Sequence, residues 1–144
     1  MWEIRSGWTA YYNREDGRTH HEHVASLQAE GVVCFDVETM PEFSPFAVMA
    51  TAASKDAWYA WISPWLLGES TETRHLVPIG NPSVARVIVG HNVSYDRGRI
   101  LEEYNLNGTQ TRFLDTMALH IAVKGISSHQ RPAWMTHRKE KAAR

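Results

Sequence analysis

The stretch Val32-Val33-Cys34-Phe35-Asp36-Val37-Glu38-Thr39 decides how the rest of the chain is read. It opens as a short apolar run and ends in charge, the pattern of a buried strand reaching the rim of a sheet. Side chains alternate along a strand, so Asp36 and Glu38 fall on one face, about 6–7 Å apart along the backbone. Two like charges there repel unless a cation lies between them. Divalent Mg²⁺ or Mn²⁺ supplies one, because hard ions take carboxylate oxygens. The bland alternative is a strand end meeting water, where Asp-x-Glu is common; the tripeptide alone does not separate the two.

Further strands follow downstream. Pro41, Ser44 and Pro45 mark a turn. Residues 46–52 read as a second strand, Lys55-Asp56 as a polar break, and the aromatic Trp58-Tyr59-Ala60-Trp61-Ile62 as a third. Short turns between them imply antiparallel pairing. Residues 64–67 read as the opening of a short helix, and 68–73 and 77–82 as loops. Arg86-Val87-Ile88-Val89-Gly90 reads as a fourth strand. Over 94–104, Tyr95, Ile100, Leu101 and Tyr104 form a helical stripe, with Glu102 and Glu103 outward. Asn107-Gly108 breaks it. Arg112-Phe113-Leu114 is a fifth strand, and Asp115 caps a helix over 116–123 that Gly125 ends. Pro132 begins a last helix running into a basic tail of Arg138, Lys139, Lys141 and Arg144. The order β-β-β, then β-α-β-α, suggests an α/β (α+β) mixed sheet with helices on its faces, a layout that ribonuclease-H-like folds share with many other α+β domains.

Residues 1–30 read as a polar, irregular N-terminal extension, with a turn at Glu15-Asp16-Gly17-Arg18. Its aromatic Gly7-Trp8-Thr9-Ala10-Tyr11-Tyr12 can pack onto a domain of residues 31–144. Residues 24–29 fit a helical turn or a strand equally. The 144 residues are 43% hydrophobic and 22% charged, ordinary globular usage that argues against a disordered chain. No apolar run approaches the ~18 residues of a membrane span. Fifteen Lys+Arg against sixteen Asp+Glu exclude a globally basic nucleic-acid binder, so such binding needs a local patch or bound metal. The single cysteine, Cys34, excludes an intrachain disulfide and a cysteine zinc cluster, and reads as a small buried hydrophobe. With Glu3, Glu15 and Asp16 and no apolar core, the first twenty residues read neither as a secretory signal nor as a mitochondrial presequence.

A second constellation is Val89-Gly90-His91-Asn92-Val93-Ser94-Tyr95-Asp96, where the fourth strand runs into a helix. Gly90 permits a tight backbone. Asn92 or Ser94 can cap the helix. Asp96 falls in the first turn, where the helix dipole favours a carboxylate. The segment is either a helix-start device or the source of a third metal-facing acid. His91 can serve as a general base, but reads rather as a strand-end histidine satisfied by neighbours. His20-His21-Glu22-His23 reads as a polar loop, since a lasting metal site needs oriented ligands. Of the two tryptophans on opposite faces of the third strand, Trp58 reads as core and Trp61 as the one able to stack a base.

Taken together, Asp36/Glu38 and Asn92-x-x-Tyr95-Asp96 resemble the first two motifs of the DEDD 3′–5′ exonuclease superfamily. The resemblance narrows with Gly7-Trp8-Thr9, Ala57-Trp58-Tyr59-Ala60-Trp61, Gly90-His91-Asn92-Val93-Ser94-Tyr95-Asp96-Arg97 and Arg112-Phe113-Leu114-Asp115-Thr116-Met117. With Gly125-Ile126-Ser127-Ser128-His129-Gln130-Arg131, these look like the proofreading domains of mitochondrial (gamma, family A) DNA polymerases, in fungal wording, over nearly the whole chain. The resemblance implies a ribonuclease-H-like exonuclease fold and a mitochondrial location. It implies Asp36, Glu38 and Asp96 as catalytic metal ligands for two Mg²⁺ (or Mn²⁺) ions that hydrolyse phosphodiesters at single-stranded DNA 3′ ends. Thr39 would touch the terminal nucleotide, and Asn92 and Tyr95 would support the site. The third motif, Tyr-x-x-x-Asp, is absent: no Tyr follows Tyr104, and the last Asp is Asp115. The expectation is an exonuclease domain truncated at its C-terminus. It would lack the fourth carboxylate and the polymerase domain, and have little activity alone. The rival expectation is a catalytically incompetent fragment with at most DNA- or partner-binding capacity.

Overall fold

The computed structural model describes residues 2–27, 31–126 and 131–142. Alternation along β3 (Gly31–Met40) organises it. Val33, Phe35 and Val37 are buried, while Val32, Cys34, Asp36 and Glu38 are exposed. β3 pairs antiparallel with β4 (Ser44–Ala53), which pairs antiparallel with β5 (Trp58–Ile62). β1 (Gly7–Asn13) pairs antiparallel with β5 and with β2 (Thr19–Val24). On the other side β3 pairs parallel with β6 (Arg86–Gly90), and β6 with β7 (Thr111–Asp115). The result is one seven-stranded mixed sheet, ordered β2-β1-β5-β4-β3-β6-β7. The parallel crossover from β6 to β7 runs through α1 (Val93–Arg97) and a 3₁₀ turn at Leu101–Tyr104; α2 (Thr116–Lys124) and α3 (Arg131–Ala142) follow.

The core lies on one face of this sheet. The register lines up Trp8, Trp61, Ala50 and Val37 across four strands, and Ala10, Tyr59, Ala52 and Phe35 in the next row. All eight are buried. Alanines on β4 stand opposite the large rings on β5, which leaves room for those rings in each row. Ile88, Val93, Val77, Ile79 and Ile100 belong to the same cluster, as do Val24, Leu27, Val33 and Ala47. Val77 and Ile100 form a parallel bridge that ties the 77–82 loop to the crossover. Trp8 is fully buried, and its Nε1–H donates to the Pro78 carbonyl at 2.6 Å.

The expected meander and the β-α-β-α order are present, with β5 and β6 at their expected bounds, β3 extending to Met40 and the first helix much shorter than expected. Several expectations are corrected. Residues 7–24 form a hairpin that widens the sheet. β2 looked irregular because it is an edge strand on which only Val24 is buried. The helical stripe over 94–104 breaks after Arg97. Ile100 leaves the helix for its bridge to Val77, and Tyr95, Leu101 and Tyr104 stay exposed. Glu102 turns inward instead of outward and accepts the Ile79 and Gly80 N–H groups at 2.9 and 3.0 Å. The 77–82 loop thus carries core residues held by a side-chain acceptor. Residues 64–67 make hydrogen-bonded turns, not a helix.

The tryptophans exchange roles: Trp61 is 3% exposed and Trp58 66%. Cys34 is exposed rather than buried, because it shares the open face with Asp36 and Glu38. α2 ends at Gly125 as expected, with φ 75°, but neither α2 nor α3 buries a residue. Residues 28 and 29 of the undecided 24–29 segment lie outside the described residues, as do Ser127, Ser128, His129, Gln130 and Arg144. No helix among the described residues is long and apolar enough to cross a membrane.

Candidate active site

The parallel ladder of β3 with β6 ends at Cys34 and Val89. Beyond it β3 continues alone on that side, and Val37 N–H needs another acceptor. The sequence brings one from 59 residues away: Asp96 Oδ1 accepts it at 2.9 Å. A buried backbone donor left unpaired would be costly, so this bond fixes the start of α1 against the rim of β3.

Gly90 makes that approach sterically feasible. A Cβ there would lie 2.8 Å from Val93 Cγ2 and 3.1 Å from the Phe35 carbonyl oxygen. The chain then turns at Asn92, at φ 60°, ψ 45°, a left-handed conformation that asparagine tolerates better than most residues. Asn92 stands at the N-cap, but its side chain makes no capping bond; its N–H donates to Asp115 Oδ1 at 2.9 Å. Asp115 Oδ1 also accepts Met117 N–H and so caps α2. One carboxylate therefore couples the β6–α1 and β7–α2 junctions. Desolvation pulls the Asp115 carboxyl upward, and the N–H groups of Asn92, Met117 and Ala118 outweigh it, leaving it below the ordinary range. His91 Nδ1 and Thr116 Oγ1 lie 3.1 Å apart, and Thr116 donates to the Gly90 carbonyl. His91 is thus satisfied by its neighbours.

Asp96 is 3% exposed. Burial pushes its carboxyl above the ordinary value and the negative charge of Asp36 pushes the same way, against the Val37 N–H and the charge of Arg99. Asp36 and Asp96 are therefore within electrostatic reach although far apart in sequence. Glu38 stands two residues along the same exposed face. A carboxylate raised by burial and by a second acid is the situation a divalent cation relieves, and the donors are hard oxygens suited to Mg²⁺ or Mn²⁺. In chemistry, then, the residues fit such an ion. Among the described residues, however, no three His, Cys, Asp or Glu side chains are drawn close enough together to hold one.

Thr39 and Tyr95 meet at this rim: Thr39 Oγ1 and the Tyr95 hydroxyl are 2.5 Å apart. Two features were not singled out from sequence. Arg99 stacks on the Tyr95 ring, a contact hinted at by the i, i+4 spacing. The second bond of Asp115, to Asn92, had no sequence signal. A groove of about 360 Å³, lined by Cys34, Asp36, Thr51, Trp58, His91 and Thr116 among others, opens on the exposed face beside Asp36. A larger cavity between the β1–β2 and β4–β5 turns is lined by none of the acids of this rim.

The sequence matches the family described as DNA mitochondrial polymerase exonuclease domain over residues 1–144. It is 55% identical to DNA polymerase gamma, mitochondrial, of Neurospora crassa over 99% of this chain and 10% of that protein. DNA polymerase gamma of Schizosaccharomyces pombe is 49% identical over 96% of this chain and 13% of its own length. That of Saccharomyces cerevisiae is 42% identical over 99% and 11%. The chain thus spans about a tenth of the length of these curated relatives. The match covers both acidic segments and the hairpin that precedes them, and the chain belongs to the mitochondrial DNA polymerase exonuclease domain family.

Proposed function

We propose that Asp36, Glu38 and Asp96 are the metal-holding acids of a two-ion 3′–5′ exonuclease site in a ribonuclease-H-like domain. It would hydrolyse DNA 3′ ends during mitochondrial DNA replication. The observation that carries this is the Asp96 carboxylate seated on the N–H of Val37, between Asp36 and Glu38 in sequence. A purely structural acceptor at this position need not be an acid, still less one raised by burial and by a neighbouring negative charge. Residues 31–144 carry every one of these side chains, and the N-terminal hairpin widens the sheet that supports them.

Each residue then has a task. Asp36 and Asp96 face one another electrostatically and would hold a shared cation, with Glu38 as its further carboxylate. Bound divalent ions supply the Lewis acidity that activates water and stabilises the leaving oxygen. Val37 N–H fixes the Asp96 carboxylate so that it need not reorient when substrate arrives. The Thr39 and Tyr95 hydroxyls offer donors and acceptors to the terminal sugar and phosphate of a single-stranded end. Asn92 holds the turn that aims Tyr95. The named mitochondrial relatives support a mitochondrial setting.

The absence of a third motif in this sequence, and of a three-donor group among the described residues, favours slow turnover by these 144 residues alone. The assay is release of nucleotides from a 3′-labelled single strand, with protein in excess, with Mg²⁺ or Mn²⁺ or with chelator. Release that needs the ion and disappears in Asp36→Ala supports the proposal; release that persists in chelator or in Asp36→Ala overturns it. Ion-dependent binding of the strand without release would mark a binding-only fragment.

A further inference from the structure

Arg99 has no part in the acidic set, yet it is tied to the rim from three directions. Its guanidinium carbon lies 3.8 Å from the centroid of the Tyr95 ring. Its Nη1–H donates to the Tyr95 carbonyl at 2.6 Å, and its Nε–H to the Pro45 carbonyl at 3.1 Å. Pro45 is on β4 and Tyr95 on α1, so one side chain fastens the helix to the strand beside β3. Tyr95 itself is 40% exposed. A tyrosine so exposed lacks the packing that would fix its ring, yet its hydroxyl stands 2.5 Å from Thr39 Oγ1. The cation over one ring face, an arrangement aromatic quadrupoles favour, supplies the missing restraint.

We propose that Arg99 is a positioning residue: it clamps Tyr95 so that the Tyr95 and Thr39 hydroxyls form one rigid polar shelf beside Asp36, Glu38 and Asp96. That a single-stranded DNA end rests on this shelf depends on the function proposed above; the clamp itself does not. The fork of the guanidinium is what makes the clamp. A planar group can lie on a ring and donate in its own plane to two carbonyls at once, which the point charge of a lysine cannot do. The clamp also keeps a positive charge beside a carboxylate that burial disfavours, without competing for its oxygens.

The test has an arm without DNA and an arm with it. In the first, the Thr39 methyl resonance is followed by NMR in the 144-residue chain and in its Arg99→Gln, Arg99→Lys and Tyr95→Phe variants. The clamp predicts that Arg99→Gln moves this resonance in the same direction as Tyr95→Phe, and that lysine does not restore it. A Thr39 methyl unmoved in Arg99→Gln, or restored by lysine, overturns the proposal. Should Arg99→Gln fail to fold, Arg99→Lys carries the same comparison.

In the second arm, Mg²⁺-dependent binding of a fluorescent single-stranded oligonucleotide is measured well below the melting temperature. Arg99→Gln and Tyr95→Phe should each weaken binding about fivefold, the equivalent of one lost neutral hydrogen bond. The double variant should be no weaker than either, because both remove the same shelf. Additive losses would show Arg99 acting on its own and would also overturn the proposal. A merely structural arginine would lower the melting temperature and leave this affinity unchanged. If Asp36→Ala and removal of Mg²⁺ both leave binding unaltered, the exonuclease reading fails instead, and the Thr39 methyl still decides whether Arg99 holds the pair.

Discussion

Replacing Asp96 in two ways separates its structural role from its chemical one. Asp96→Ala removes the acceptor of a buried Val37 N–H. A hydrogen bond to a charged group is worth about 1.5–3 kcal/mol, and the orphaned donor stays buried. For a chain of this length about 3–4 °C in Tm accompanies each kcal/mol, so Asp96→Ala should melt roughly 5–10 °C lower. Asp96→Asn keeps an oxygen for Val37 and discards the charge. The sign follows from linkage. The folded Asp96 carboxyl titrates above its ordinary value of 3.8, first through burial and then through Asp36. Its stabilising contribution is complete below the unfolded pKa and is lost as pH rises through the folded pKa. Asp96→Asn should therefore match or exceed the native chain in stability at pH 7, with an advantage that shrinks as pH falls through the folded pKa of Asp96. Thermal unfolding of the three proteins from pH 3.5 to 7.5 measures this. If Asp96→Asn is as unstable as Asp96→Ala, or if its gap to the native chain is independent of pH, the charge is not held at a cost and the reasoning fails.

Other substitutions probe the frame around the site. Trp61→Ala should cost about 3–5 kcal/mol in denaturant unfolding, as for any fully packed aromatic. Trp58→Ala, 66% exposed, should stay within about 0.5 kcal/mol of the native chain. Equal costs would contradict the assignment of faces on β5. Gly90→Ala forces a methyl to within 2.8 Å of Val93 Cγ2 and 3.1 Å of the Phe35 carbonyl. Overpacking of this kind costs about 1–3 kcal/mol, and a neutral result in urea would mean that the β6–α1 turn is looser than described. Asp115→Asn should flatten the acid limb of stability. The Asp115 carboxyl titrates below its ordinary value, so its contribution is present above the unfolded pKa and lost as pH falls through the folded one. Tm values at pH 3 and pH 7 that fall equally in both proteins would refute this.

Where a segment is both periodic and half-buried, sequence sufficed. An apolar run ending in charge placed β3, alternation put Asp36 and Glu38 on one of its faces, and the apolar run of Arg86-Val87-Ile88-Val89-Gly90 placed β6 to the residue. The same logic failed for β2, whose Thr19-His20-His21-Glu22-His23 has no buried side to advertise. It also failed for the crossover, where Ile100 serves a bridge to Val77 instead of a helix face. For Trp58 and Trp61 the alternation was right and its phase was not. Which face of β5 is covered depends on pairing with Ala50 on β4 and Trp8 on β1, information that lies outside the strand. Within the site, residue types and spacing drew attention to Asp36, Glu38 and Asp96, and the family resemblance added Thr39, Asn92 and Tyr95. What sequence could not give was how they are held: the bond from Val37 to Asp96, the tie from Asp115 to Asn92, and the stacking of Arg99 on Tyr95. The first two are long-range contacts that leave no periodic trace, and of the third only the i, i+4 spacing of Tyr95 and Arg99 gave a hint.

The central claim is that Asp36, Glu38 and Asp96 together hold a divalent ion. Titration of Mn²⁺ into the 144-residue chain, read by electron paramagnetic resonance of the free ion, tests it without DNA or turnover. The account predicts binding that strengthens as pH rises through the Asp96 titration, is displaced by excess Mg²⁺, and is lost in both Asp36→Ala and Asp96→Asn while Asp96→Asn stays folded. Mn²⁺ affinity unchanged in either variant would contradict it.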